Sequence, residues 1–142
     1  MRTLDSSIAK CIKKTFTSEI GNLYCFNHIA VVEFNEGVHV NLDSASELLY
    51  HLTAYFGKSR PFGLVSNRTN SFSISMVDSG LIKSHIQNLV AYGVVGHTRA
   101  GKMNCSIEND FCKTQEVRYH CLYEAVDSVY SKIKEELLLS LS

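Results

Sequence analysis

The chain has 142 residues, of which 45% are hydrophobic and 20% charged, with 14 lysines and arginines balanced by 14 aspartates and glutamates. That length suits one domain, and that composition is ordinary for a folded globule large enough to bury its apolar residues without disulfide or metal staples. A net charge of zero argues against a general nucleic-acid binder, whose affinity rests on a basic excess that neutralises phosphates.

Residues 1–10 read as an N-terminal extension and residues 11–142 as the domain; the extension holds an early acid, Asp5, and no apolar run of signal-peptide length. Cys11 to Thr17 offers an edge strand, because Lys13 and Lys14 are charges that blunt an exposed sheet edge. Leu23–Phe26 and Ile29–Phe34 are β-rich runs separated by Asn27-His28, which predicts a hairpin. Asn35-Glu36-Gly37 ends the second run. Ser44 with Glu47 has the spacing of a capping box, and Ala45, Leu48, Leu49, Leu52, Tyr55 and Phe56 then recur at helical spacing until Gly57.

Pro61 opens a short buried strand over Phe62–Ser66, followed by a polar tract from Asn67 to Ser71 and a second short strand over Phe72–Ser75. Asp78 or Ser79 can cap a helix running to about Ile86. Leu89–Gly96 is apolar throughout, as a central strand covered on both faces should be. Met103, Ile107 and Phe111 predict a third helix, Glu116–Tyr119 a last short strand, and Leu122, Val126, Val129, Ile133 and Leu137 the core face of a closing helix. This order predicts a single α/β domain in which a β-hairpin leads into a mostly parallel sheet of roughly four to six strands packed by about four helices.

The hairpin, the capped helix and the repeated strand-helix order resemble the STAS fold of the bacterial sporulation anti-anti-sigma factors. Asn35-Glu36-Gly37-Val38, Phe62-Gly63-Leu64-Val65-Ser66-Asn67-Arg68 and Asn70-Ser71-Phe72-Ser73 are similar to stretches in a group of short, uncharacterised bacterial STAS-like proteins. The resemblance spans about residues 22–138. In the anti-anti-sigma factors the second serine of an Asp-Ser-Ser-Gly-Leu stretch is phosphorylated by a partner kinase. Asp78-Ser79-Gly80-Leu81 is one serine short of that stretch, so Ser79 has two readings, phosphoacceptor or helix cap. The resemblance implies an interaction module; fold alone does not carry function.

The chemistry-bearing patterns are sparse. Gly96-His97-Thr98-Arg99-Ala100-Gly101-Lys102 fits the spacing of a phosphate-cradling loop, but Met103 stands where a hydroxyl should hold magnesium, so an ordinary strand-to-helix loop is the simpler reading. No dinucleotide or hydrolase-elbow motif occurs, and no catalytic residue or cofactor is assigned. Six scattered histidines and five cysteines without a C-x-x-C pair predict no metal site and reduced thiols in the cytoplasm. No stretch reaches the roughly 18 apolar residues of a membrane span.

Between Lys58 and Lys102 six basic residues face the single acid Asp78. Arg68 and Arg99 follow predicted parallel strands, where ligands of open α/β sheets collect, and Asn67 and Lys102 sit beside them. Two functions from different classes follow. The first is a non-enzymatic cytoplasmic regulatory module acting through a protein partner and as a homodimer, since Leu138, Leu139 and Leu141 extend apolar character past the core face of the last helix. The second is a protein, or enzyme, binding a small anionic ligand through Asn67, Arg68, Arg99 and Lys102.

Overall fold

The computed structural model describes residues 1–75, 77–96, 118–119 and 121–141, and for residues 79, 118, 119 and 139–141 the backbone alone. After two 3₁₀ turns, Thr3–Asp5 and Ser7–Cys11, come β1 (Lys14–Thr17), β2 (Gly21–Cys25), β3 (Ile29–Phe34), β4 (His39–Val40) and α1 (Leu42–Phe56). They are followed by β5 (Phe62–Arg68), β6 (Ser73–Ile74), α2 (Ser79–Ser84), β7 (Leu89–Gly96), β8 (Arg118–Tyr119) and α3 (Leu122–Leu141). The main sheet has the order β1-β2-β3-β5-β7-β8.

That sheet is mixed rather than mostly parallel. β1 pairs antiparallel with β2 and β2 with β3, whereas β3, β5, β7 and β8 pair parallel. The division follows the connections: a two-residue turn at Asn27-His28 can only reverse the chain, while the links that carry α1 and α2 are long enough for parallel crossovers. β7 lies in the interior of the sheet, between β5 and β8. The short strand after the polar tract belongs to a separate two-stranded element, β6 pairing in parallel with β4. Three α-helices occur among the described residues; the helix expected through Met103, Ile107 and Phe111 lies outside them.

Strand alternation sorts the core into two layers. Leu23, Cys25, Ala30, Val32 and Leu64 face Leu48, Leu49 and Leu52 of α1 and Ile82 of α2. Tyr24, Ile29, Val31, Val65, Ala91 and Val95 face Leu122, Ala125, Val129 and Ile133 of α3. Each of the buried valine, leucine and isoleucine side chains among these contributes about 1.5–3 kcal/mol of transfer free energy. Gly63 is what lets α3 approach β5, because a Cβ there would stand 2.3 Å from Val129 Cγ1 and 2.8 Å from Ile133 Cδ1.

The first helix starts three residues earlier than its apolar pattern suggests. Its N-cap is Asn41, whose side chain accepts the Ser44 N–H at 2.8 Å while Ser44 Oγ accepts the Asn41 N–H at 2.9 Å. The capping box is therefore Asn41 with Ser44, not Ser44 with Glu47; Ser44 can serve as the third helical residue because its hydroxyl reaches back as a Glu would. The helix ends at Gly57, whose φ of 76° is the left-handed conformation glycine tolerates. Phe56 then stacks on Phe62 with centroids 4.4 Å apart, tying the end of α1 to the start of β5.

Residues 1–10 are docked on the α3 side of the sheet. Ile8 and Ile12 pack on the layer containing Tyr24, Ile29 and Val31, so this segment covers part of the hairpin as a strap. Thr3 is wholly buried at one end of the strap. No helix among the described residues is long and apolar enough to cross a membrane.

Candidate functional site

The residues singled out after the parallel strands do not converge on one site. Asn67 and Arg68 are consecutive in β5 and so point to opposite faces. Asn67, 1% exposed, donates from Nδ2 to the Met1 carbonyl at 2.9 Å and to Glu33 Oε2 at 3.0 Å. The same carboxylate oxygen accepts the Thr3 N–H at 2.6 Å and the Thr3 hydroxyl. A buried carboxylate needs such donors to offset lost hydration, and here they come from the strap, so Asn67 and Glu33 hold the N-terminal segment in place.

Arg68 is 5% exposed, its guanidinium carbon sits 3.9 Å from the Phe72 ring centroid, and Nη2 donates to the Phe72 carbonyl at 3.1 Å. It anchors the turn leading into β6. Ser66 Oγ and Thr69 Oγ1 are buried beside this turn without a hydrogen-bond partner. Arg99 and Lys102 lie outside the described residues, with the whole phosphate-loop-like stretch after Gly96.

Asp78 has a different partner from the one expected of a cap. Its side chain makes no bond within α2; Oδ2 accepts the Leu42 N–H at 3.0 Å and so joins the start of α2 to the start of α1. Ser79 opens α2, and its side chain is outside the description.

Between α1 and α2 runs a groove of about 610 Å³. Ser46, Tyr50 and Thr53 line one wall, Ser84, His85 and Asn88 the other, and Lys58 closes one end. Tyr50 is 70% exposed there. The amide of Asn88 donates to the Gly57 and Arg60 carbonyls at 3.0 and 2.7 Å, and His85 Nδ1 lies 2.8 Å from the Leu81 carbonyl, which fixes the wall. Among the described residues no acidic side chain lines the groove. A cationic, hydroxyl-rich cleft with an exposed aromatic at its lip can bind an anionic group and stack an apolar one beside it.

Tyr50 and His85 were not singled out from the sequence, and Lys58 stood there only as the start of the basic segment. The available signal was a second stripe on α1, with Leu42, Ser46, Leu49, Thr53 and Gly57 at helical spacing beside the core face; three of these are small or glycine, which makes a helix flank concave. The thiols among the described residues divide clearly: Cys11 and Cys121 are exposed, and Cys25 is buried, which pushes its pKa up to about 12. No group of three histidines, cysteines, aspartates or glutamates that could hold a metal occurs among the described residues. No protein-family model, curated protein or solved structure matches the chain.

Proposed function

We propose that the chain is a non-enzymatic, cytoplasmic STAS-like regulatory or protein-interaction module that docks an acidic segment of a partner protein in the groove between α1 and α2. The observation that carries this reading is the exposed Tyr50 in a groove lined by Lys58 and His85, with no carboxylate among the described lining residues. Aromatic side chains at a groove lip are the commonest anchors of protein interfaces, and the basic lining selects an acidic partner by charge complementarity. The STAS-like reading draws support from the strand order, in which the hairpin β2-β3 is followed on the β3 side by the parallel strands β5, β7 and β8 in turn, with β1 on the β2 side.

Selection of binders from a library of acidic decapeptides displayed on phage tests the reading. Enriched sequences whose affinity falls about tenfold or more in Tyr50→Ala and in Lys58→Glu support it, since a single anchor residue carries about 1.4 kcal/mol or more. A library with no enriched sequence, or binders indifferent to both substitutions, rejects it. Pairing of two copies through the end of α3 belongs to the same proposal, because Leu138 is 67% exposed just beyond the half-buried Leu137. Sedimentation of the full chain against one ending at Leu137 tests it, and a monomer in both rejects the pairing.

A further inference from the structure

A second concavity, of about 660 Å³, lies on the opposite face of the sheet, where the strap, the β2-β3 turn and α3 meet. Three separate segments border it, and its volume falls in the range typical of small-molecule sites. It is also built of different material from the α1-α2 groove. Its floor is apolar, formed by Ile8, Ile29 and Val126, and its walls carry the rings of Phe26, Tyr123 and Tyr130.

The charges are arranged asymmetrically. Lys10 and Lys13 stand on the strap side and Asp127 on the α3 side, which leaves one unit of positive charge on the lining when His28 is neutral. Tyr123 is held in place because its hydroxyl oxygen accepts the Ser7 N–H at 3.0 Å, a bond that also lowers the pKa of the phenol. His28 lines the concavity while its Nδ1 is buried with no hydrogen-bond partner, a cost that native structures ordinarily offset by function or by an absent partner.

We infer that this concavity is a binding site for a small aryl carboxylate, with the aromatic body between Phe26, Tyr123 and Tyr130 and the carboxylate toward Lys10 and Lys13. Three aromatic walls select a flat aromatic body by offset or edge contacts. The single excess positive charge matches a monoanion, whereas a phosphate dianion would bring a second charge toward Asp127 that nothing in the lining offsets. This site is independent of the groove between α1 and α2 and stands or falls without it.

Cys11 gives a direct readout, because it is an exposed thiol at the edge of the concavity, while Cys121 is exposed but is not part of its lining. The probe is 2-naphthoate, titrated against the full-length protein while the alkylation of each cysteine by iodoacetamide is followed by peptide mass spectrometry. The expected result is a saturable slowing of Cys11 alkylation with Cys121 unchanged. The neutral 2-naphthamide should bind about tenfold more weakly, and acetate, which lacks the aromatic body, should not protect at the same concentrations. Lys10→Ala combined with Lys13→Ala should weaken naphthoate by about tenfold and leave naphthamide unaffected. Tyr130→Ala should weaken both aromatic probes, and circular dichroism with thermal melting confirms that each variant is folded. No protection by naphthoate, equal protection by the amide, or protection of Cys11 and Cys121 alike would overturn the assignment.

Discussion

Glu33 Oε2 accepts the backbone N–H of Thr3 at 2.6 Å, a bond between residues thirty apart in sequence that pins the start of the chain to the end of β3. Asn67 completes the arrangement by donating to the same oxygen and to the Met1 carbonyl. Because one buried oxygen of the carboxylate accepts all three hydrogen bonds, replacing the acid by its neutral amide turns three charge-assisted bonds into neutral ones. Glu33→Gln is expected to lower stability in urea denaturation by about 1.5–3 kcal/mol, the range for hydrogen bonds to charged groups. It should also open residues 1–11 to limited proteolysis under native conditions. An unchanged urea midpoint with an intact strap would show that the Ile8 and Ile12 packing alone holds the segment.

The hairpin, the apolar faces of α1 and α3, and the buried strands β5 and β7 were legible in the sequence because each is written in periodic apolar residues that local physics can read. The strap was not, since Ile8 and Ile12 are four apart in a polar stretch and gain their meaning only from Tyr24, Ile29 and Val31, which they cover. Asn67 and Arg68 stand out in the sequence as polar residues at the end of a buried strand, and both are buried. Their separation onto two faces follows from strand alternation, which was available once β5 was extended through Arg68 rather than ended at Ser66. The α1-α2 groove depends on the distance between two helices, which no single stretch of sequence encodes.

Gly63 tests how closely α3 rests on the sheet. A methyl group at this position would overlap Val129 Cγ1, a short branched side chain on a helix already packed against β5. Gly63→Ala is expected to destabilise by about 1–3 kcal/mol, the usual cost of overpacking. Gly80→Ala is the control: nothing lies within 4 Å of its added Cβ, so in a helix it should stabilise by about 0.4–1 kcal/mol. Equal effects of the two substitutions would mean that α3 can move away from β5 at little cost.

The cap of α1 distinguishes two positions that look alike in sequence. Asn41 satisfies the Ser44 N–H, and its own N–H is satisfied in return, so Asn41→Ala should cost about 1 kcal/mol. Glu47 is exposed and its contact is His51 at 3.8 Å along the same helix, so Glu47→Ala should change stability by about 0.5 kcal/mol or less. Chemical denaturation of the two variants decides the matter, and a larger loss for Glu47→Ala would move the helix start back to Ser44.

Cys25 sets a pH limit on the fold. Its thiol is wholly buried on the α1 side of β2, and desolvation disfavours the thiolate, pushing the pKa from its usual 9.0 up to about 12. Tyr24 and Tyr55 are raised in the same direction, chiefly by burial. Between pH 9.0 and about 12 the folded chain keeps a proton that the unfolded chain releases. The contribution is therefore complete below pH 9.0 and lost as the pH rises toward 12, at up to about 1.4 kcal/mol per pH unit for one group. Urea midpoints measured at pH 7.5 and 10.5 should fall, and Cys25→Ala, compared with itself at the two values, should show a smaller drop. Native-state alkylation provides the independent check: at pH 8 iodoacetamide should modify the exposed Cys11 readily and Cys25 only at the rate of unfolding. Modification of Cys25 as fast as Cys11 in the folded protein would place that thiol in contact with solvent and remove the basis for the alkaline loss of stability.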